Sequence, residues 1–251
     1  MVGVASQSAG ALQALPTDRV VLTFSADGDI ALTGLRTARA PIPQRCSMPV
    51  GLAVLSPASA LRVFRRSLAE IVDASVALGD LIGTQEAAAL ARLLQSSSQP
   101  DRTLKLLGDW LQLQQHRGGD VEAGARRVIA ATRLALHPAC RGDTVSLAQA
   151  VGVGERQLLR DFGSWLGVSP SEWLRLMRLQ RSLASIAIGM PLAEVATLQH
   201  YADQSHMSRD IRRWTGRTPS ELSAEMAHCE RRQVVAAMGS RVMVSDSIGA
   251  A

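Results

Sequence analysis

The feature of this sequence that most constrains its fold is an internal repeat in the C-terminal half. The segment RDFGSWLGVSPSE at 160–172 aligns without gaps with RDIRRWTGRTPSE at 209–221, and seven of the thirteen positions are identical. Upstream, Leu147-Ala148 matches Val195-Ala196 at an offset of 48 rather than 49 residues. This duplication indicates that one supersecondary unit is built twice, with one extra residue in the turn of the second copy.

Each copy has the residue pattern of a helix, a tight turn and a second helix. Residues 146–151 predict a short helix that Gly152 ends in a left-handed conformation, and residues 155–166 predict the longer helix that follows. Gly167 ends this helix, and the pair Ser169-Pro170 starts the next one. Because the same residue types recur in the second copy, the sequence predicts two helix-turn-helix units.

The longer helix of each unit has an apolar face and a polar, arginine-bearing face. The apolar face predicts packing on a core, and the polar face carries side chains that hydrogen bond to base edges and phosphates. A recognition helix needs this arrangement. The alternative is that the arginines are simply solvated. The presence of the same polar, arginine-bearing face, or front, in both units favours DNA contact. The polar residues are Arg156, Gln157 and Arg160 in the first unit, and Gln204, Ser205, His206, Ser208 and Arg209 in the second.

Between the copies, residues 171–188 predict one helix of about 18 residues, roughly 27 Å long. A helix of this length can hold two recognition helices about one DNA turn apart, near 34 Å. We therefore expect both to enter successive major grooves on one side of a duplex. Arg175, Arg178 and Arg181 on this helix are expected to reach either phosphate or solvent.

These residues resemble the DNA-binding domain of AraC-type bacterial transcription regulators. The resemblance lies in LLRDFGSWLGVSPSEWLRLMRLQRSL and PLAEVATLQHYADQSHMSRDIRRWTGRTPSEL, and covers about 100 residues from 120 to 222. It implies seven helices, with two helix-turn-helix units joined by a long helix. It also implies which positions contact DNA. At one of them, Leu159, the family often has a polar residue, and we expect the leucine to press on a thymine methyl instead. These positions are Arg156, Leu159, Arg160, Gln204, Ser205, His206 and Arg209.

The chain departs from the family pattern at two positions. His200 stands in the turn where the family usually has Gly, and a left-handed conformation there costs about 1 kcal/mol. Gly154 stands where a Ser or Asp cap is usual, which costs a few tenths of a kcal/mol, whereas Asp203 supplies the cap in the second unit. We therefore expect a looser turn in the second unit and a looser recognition-helix start in the first.

The N-terminal half predicts a small α+β region. Residues 1–15 indicate a loose leader, and residues 19–24 and 29–34 flank Asp27-Gly28 as a hairpin. This half more loosely resembles the sensor part of an AraC subgroup, which is a small β-barrel followed by helices. The resemblance lies in the strand GLAVLSP and the helix after it. Because three short strands do not close a barrel, we do not expect a complete barrel here. The remaining predictions are a strand at 51–56, helices at 58–67, 84–96, 101–116 and 121–136, and N-caps at Asp101 and Asp120.

Composition and the absence of known motifs argue against membrane proteins, disulfide-rich proteins and enzymes. Hydrophobic residues make up 47% and charged residues 20%, which is typical of a soluble globular protein. Cys46, Cys140 and Cys229 are odd in number and far apart, so we expect no disulfide scaffold and a cytoplasmic setting. No apolar stretch reaches the length of a membrane span. No phosphate loop, nucleophile elbow or zinc pattern occurs, so we predict no enzyme, metal or cofactor.

The predicted fold class is mostly α: a seven-helix double helix-turn-helix domain at 120–222, preceded by an α+β region at 1–119 and followed by a tail at 223–251. The tail is expected to begin as a helix and to fray over its last dozen residues. The predicted function is sequence-specific regulation of transcription. The partners are double-stranded DNA and, as a further candidate, RNA polymerase; no effector is identified, and the protein is a monomer or a homodimer. The alternatives are a small-molecule sensor or an interaction module with weakened DNA binding.

Overall fold

The computed structural model describes residues 6–8, 11–25, 27–37, 40–41, 49–117, 119–137, 142–224 and 241–244. Their contacts divide the chain into two units. The larger unit takes in residues 19–35, 44–174 and 239–251, and the smaller unit takes in 1–18, 36–43 and 175–238. Cys46, Cys140 and Cys229 lie outside the described residues. The domain boundaries at 119 and 222 stay predictions.

The described chain is mostly helical, as predicted. The strands are β1 (Ser6–Ser8), β2 (Ala11–Ala14), β3 (Val20–Ser25), β4 (Ile30–Thr33), β5 (Ala40–Pro41), β6 (Pro49–Leu55), β7 (Ser75–Ala77) and β8 (Arg241–Val244). The helices are α1 (Pro57–Phe64), α2 (Leu78–Ile82), α3 (Thr84–Gln95), α4 (Pro100–His116), α5 (Ala123–Leu134), α6 (Thr144–Ala150), α7 (Glu155–Leu166), α8 (Pro170–Ala187), α9 (Leu192–Leu198) and α10 (Gln204–Thr215). A 3-10 turn spans Ala69–Ile71, and residues 219–224 are also helical.

The larger unit contains a sheet in the order β7-β4-β3-β6-β8. Strands β3 and β4 form the predicted antiparallel hairpin, in which the Ser25 amide donates to the Asp29 carbonyl at 2.9 Å and Gly28 has a φ of 91°. Strand β6 confirms the third predicted strand and pairs antiparallel with β3. The expectation that the last dozen residues fray is wrong for Arg241–Val244, since β8 pairs in parallel with β6. Residues 225–240 of the tail lie outside the described part.

The predicted helices of the N-terminal half are present, but two predicted N-caps are wrong. Helix α4 begins after Gln99, because Pro100 takes its first position, where a proline has no amide that needs a partner. Helix α5 begins after Glu122 rather than at Asp120, whose carboxylate pairs with Arg126 at 3.0 Å on an exposed surface. Helix α2 and strand β7 were not expected from the sequence.

The smaller unit combines a sheet in the order β1-β2-β5 with the second half of α8, α9 and α10. The prediction of a loose leader at 1–15 is wrong for its described residues, 6–8 and 11–15, because β1 and β2 pair with each other and β2 pairs with the distant β5. Leu15 is only 6% exposed and belongs to the core of this unit. The other buried core residues are Leu179, Leu183, Ile186, Val195, Ala196, Tyr201, Met207, Ile211 and Leu222.

Across the part of the chain that the structure covers, no helix has both the length and the apolar character that a membrane crossing requires.

Candidate nucleic-acid interface

The first helix-turn-helix unit consists of α6 and α7, within the larger unit of the structure. The turn between them contains Gly152, whose φ is 74°. Its amide donates to the carbonyl of Gln149 at 3.0 Å, and the Val153 amide donates to the carbonyl of Ala148 at 3.0 Å. These two bonds satisfy carbonyls at the end of α6 and turn the chain into α7, as the sequence predicts.

The second helix-turn-helix unit consists of α9 and α10, within the smaller unit. Its turn repeats the same bonds 48 residues later: the His200 amide donates to Thr197 at 3.1 Å and the Tyr201 amide donates to Ala196 at 2.9 Å. His200 has a φ of 56°, so the predicted left-handed histidine is confirmed. The extra residue of the second copy is Ala202, which lies between this turn and the cap of α10.

The starts of the two longer helices differ, as expected. Asp203 caps α10, and its Oδ1 atom accepts from the His206 amide at 2.6 Å. Gly154 precedes α7 and provides no side-chain hydrogen bond. Both helices end alike, at Gly167 with a φ of 71° and Gly216 with a φ of 70°.

Each longer helix buries its apolar face. In α7, Leu158 and Phe162 are fully buried, and Phe162 packs on Trp173 of α8 with ring centroids 6.0 Å apart. In α10, Met207 and Ile211 are fully buried. The predicted core faces are confirmed for these residues and Leu166, whereas Trp165 and Trp214, predicted on the same faces, are half-buried.

The opposite faces carry the eight residues predicted to contact DNA, which are the seven positions that the family resemblance implies and Gln157 beside them. Seven of these eight side chains are exposed, including Leu159 at 51%, and Gln157 is half-buried. Each helix thus brings four of these residues together within about one and a half helical turns. The exposed seven are Arg156, Leu159, Arg160, Gln204, Ser205, His206 and Arg209.

A hydrogen-bonded chain runs from α5 to the exposed face of α7. Arg127 of α5 donates two hydrogen bonds to the Asp161 carboxylate of α7, from Nε at 2.6 Å and from a terminal nitrogen at 3.0 Å. This hydrogen bond raises the pKa of Arg127 above its ordinary value. Gln157 donates from Nε2 to Asp161 at 2.8 Å and accepts from the Arg160 guanidinium at 2.6 Å. Gly124 allows α5 to lie close to α7, because a Cβ atom at this position would lie 2.6 Å from the indole nitrogen of Trp165 in α7.

A related cluster supports α10. Arg178 of α8 lies with its guanidinium carbon 4.5 Å from the centre of the Tyr201 ring, and a terminal nitrogen is 3.7 Å from the Asp210 carboxylate. The Tyr201 hydroxyl donates to the same carboxylate at 3.3 Å. Burial raises the pKa of this hydroxyl above its ordinary value of 10.0. The His206 ring stands edge-on to Tyr201, with centroids 5.5 Å apart.

This cluster corrects one expectation. Arg178 was expected to reach phosphate or solvent. It is instead half-buried over Tyr201, because the face of the aromatic ring and the Asp210 carboxylate both attract its guanidinium group. Arg175 and Arg181 on the same helix are exposed. The structural roles of Asp161 and Asp210 were missed, although their identity in the repeat was a signal for them.

No group of three or more His, Cys, Asp or Glu side chains that could hold a metal ion occurs within the described ranges.

Residues 147–225 match the protein-family model described as "Helix-turn-helix domain". Similar curated proteins include the "HTH-type transcriptional regulator RipA" of Corynebacterium diphtheriae, which is 28% identical over 110 residues, or 43% of this chain and 32% of that protein. RipA of Corynebacterium glutamicum is 34% identical over 90 residues, or 36% of this chain and 27% of that protein. The match thus spans about a third of the length of these relatives.

Two solved structures show a weaker similarity. An apo ToxT variant from Vibrio cholerae has a TM-score of 0.43 and 13% identity, covering 84% of this chain and 86% of that one. ToxT from Vibrio cholerae O395 has a TM-score of 0.43 and 8% identity over the same shares.

Proposed function

We propose that this protein is a sequence-specific DNA-binding regulator of transcription of the AraC type, because residues 147–225 match the model of a helix-turn-helix domain. One observation carries the proposal: α7 and α10 each bury an apolar back and expose an arginine-bearing front. Two relatives named as transcriptional regulators match this chain over 110 and 90 residues, which supports the same role for it.

The proposed DNA interface consists of the eight residues predicted from the sequence. Guanidinium groups donate two hydrogen bonds to guanine, and this is the role that we assign to Arg160 and Arg209. Gln204 suits an adenine edge, and the exposed Leu159 suits the methyl group of thymine. Arg156, Ser205 and His206 complete the two fronts, with contacts to bases or phosphates. Gln157 belongs to the front of α7 through its hydrogen bond with Arg160.

We also propose that each unit reads one of two successive major grooves. Helix α8 is 18 residues long, about 27 Å, which suits two recognition helices separated by one turn of DNA. Double-stranded DNA is then the main partner, and RNA polymerase is a second one at a promoter. Such a regulator works in the cytoplasm, as a monomer or a homodimer, and needs no catalytic group.

Selection of binding sites from a random duplex pool by the full-length chain tests both levels of the proposal. We expect an enriched motif with two half-sites about 10 base pairs apart from centre to centre. A single short half-site would overturn the two-groove proposal and leave the regulator intact. No enrichment at all would overturn the regulator and favour a sensor or an interaction module.

Salt dependence gives a control for the selected site. Each phosphate that the protein neutralises steepens the fall of affinity with salt, whereas base contacts do not. The double variant Arg160→Ala, Arg209→Ala should lose selectivity for the enriched motif over random DNA while it retains residual, salt-sensitive binding.

A further inference from the structure

We propose that a partly buried arginine–aspartate pair behind each recognition helix presets one DNA-facing side chain: Arg127 and Asp161 set Arg160 through Gln157, and Arg178 and Asp210 set His206 through Tyr201. In this proposal Gln157 is a positioning residue rather than a DNA contact. The proposal rests on the proposed function, because it assigns a task to side chains that face the nucleic acid.

The first step is the immobilisation of Asp161. Its side chain is only 8% exposed, and a carboxylate removed from water needs strong partners. Arg127 provides a two-bond fork, and Gln157 donates a third bond to the same carboxylate. The planar guanidinium matches the carboxylate in one orientation only, so Asp161 has a fixed direction.

The second step is the choice of amide orientation at Gln157. A carboxylate can only accept, so the amide must turn its NH2 group toward Asp161. Its carbonyl then points the other way, toward the surface, where it accepts from the Arg160 guanidinium at 2.6 Å. The buried acid thereby determines which atom of Gln157 meets Arg160.

The third step concerns the entropy of Arg160. This side chain is exposed and has many rotamers, and ordering such a side chain at an interface weakens binding. A hydrogen bond that orders it beforehand reduces this loss. Arg160 is therefore held near one orientation before DNA arrives.

The second unit has the same plan with a different relay. Asp210 occupies the repeat position of Asp161, and Arg178 approaches it from the helix that precedes the unit, as Arg127 does in the first. Here the relay is the Tyr201 ring, which receives Arg178 on its face and has the His206 ring edge-on to it at 5.5 Å. Packing rather than a hydrogen bond transmits the position, so the effect on His206 is expected to be smaller.

A double-mutant cycle on the full-length chain tests the relay in the first unit. The measurement is the Kd for the DNA that the wild type selects, with Gln157→Met, Arg160→Ala and the combination. Met keeps the length of the half-buried side chain and removes both amide atoms. We expect Gln157→Met to weaken binding roughly two- to tenfold in the wild-type background and to have no further effect when Arg160 is already Ala.

Two outcomes overturn the proposal. An equal loss from Gln157→Met in both backgrounds makes Gln157 an independent contact or a purely structural residue, and no loss in the wild type means that the relay has no effect. Asp120→Asn is the matched control, because it breaks an arginine–aspartate pair on the exposed surface next to α5. Its affinity should equal that of the wild type.

A measurement without DNA keeps this proposal separate from the proposed function. NMR relaxation of the Arg160 Nε–H group reports how well this side chain is ordered in the free protein. Gln157→Met should reduce that order, and Asp120→Asn should not. If the wild type selects no DNA, the regulator is wrong and the relaxation data still decide the relay; unchanged order in Gln157→Met overturns the relay alone.

Discussion

The two helix-turn-helix units reach the same backbone geometry with opposite local chemistry. The first has a glycine at the left-handed turn position and no side-chain cap on its recognition helix. The second has His200 at that turn position and a cap from Asp203. Each unit is therefore well suited to its geometry at one end of the turn and poorly suited at the other.

The difference shows that the turn is set by burial more than by local preference. A left-handed histidine costs about 1 kcal/mol, and a missing cap costs less. Full burial of one large apolar side chain stabilises by about 1.5–3 kcal/mol, and Met207 and Ile211 are both fully buried on the inner face of α10. Tertiary packing thus outweighs either local defect, so both turns close with the same pair of hydrogen bonds.

The largest expected effect separates the DNA contacts of the two units. Arg160→Ala and Arg209→Ala should each weaken binding to the selected site by about 1–3 kcal/mol. Each change should relax specificity in its own half-site, which repeated selection with the variant measures. If neither variant loses affinity in a titration against the selected duplex, the assigned faces are wrong.

The next effect concerns the caps. Asp203→Ala should lower the free energy of unfolding by about 1 kcal/mol, because the His206 amide loses its acceptor. Asp203→Asn keeps an acceptor oxygen and serves as the control. In the first unit, Gly154→Asp should add a few tenths of a kcal/mol. Urea denaturation measures all three, and an unchanged midpoint for Asp203→Ala would contradict the role of the cap.

A somewhat smaller effect concerns the turns. His200→Gly should stabilise the protein by roughly 0.5–1 kcal/mol, since relief of backbone strain exceeds the added freedom of the unfolded chain. Gly152→Ala should destabilise it by a similar amount through backbone strain alone, because an added Cβ there meets no atom within 4 Å. Thermal melting of both variants measures the pair. The same sign for both changes would show that the turns are not equivalent.

The smallest effect is a pH dependence confined to the second unit. Tyr201 is the only tyrosine of the chain, so tyrosinate absorbance reports on it alone. Burial raises its pKa above 10.0 in the folded protein, so the neutral hydroxyl stabilises the fold below that pH. This contribution is lost as the pH rises through the folded-state pKa. Val153 holds the equivalent position in the first unit and does not titrate.

Absorbance titration of the native and the denatured chain checks the direction of this shift. The native transition should lie at higher pH than the denatured one, and Tyr201→Phe should abolish both. Coincident transitions would mean that the hydroxyl is not buried in the folded protein.

The sequence alone determined the elements whose signals are local. The boundaries of α7, the left-handed Gly152 and the cap at Asp203 follow from helical periodicity and from hydrogen bonds between neighbouring residues. The β3–β4 hairpin follows in the same way from a turn of adjacent residues. These features need no distant partner, so a reading of neighbouring residues is enough.

Only the tertiary structure decided the features that depend on distant residues. Strand β2 exists because β5 pairs with it, and β8 exists because β6 offers an edge. Asp161 meets Arg127 across 34 residues, and Arg178 leaves the surface because Tyr201 and Asp210 receive it. A pattern along the chain does not show which distant residues lie close together in space. Their pairing depends on how the buried faces of separate elements pack, and the whole fold determines that packing.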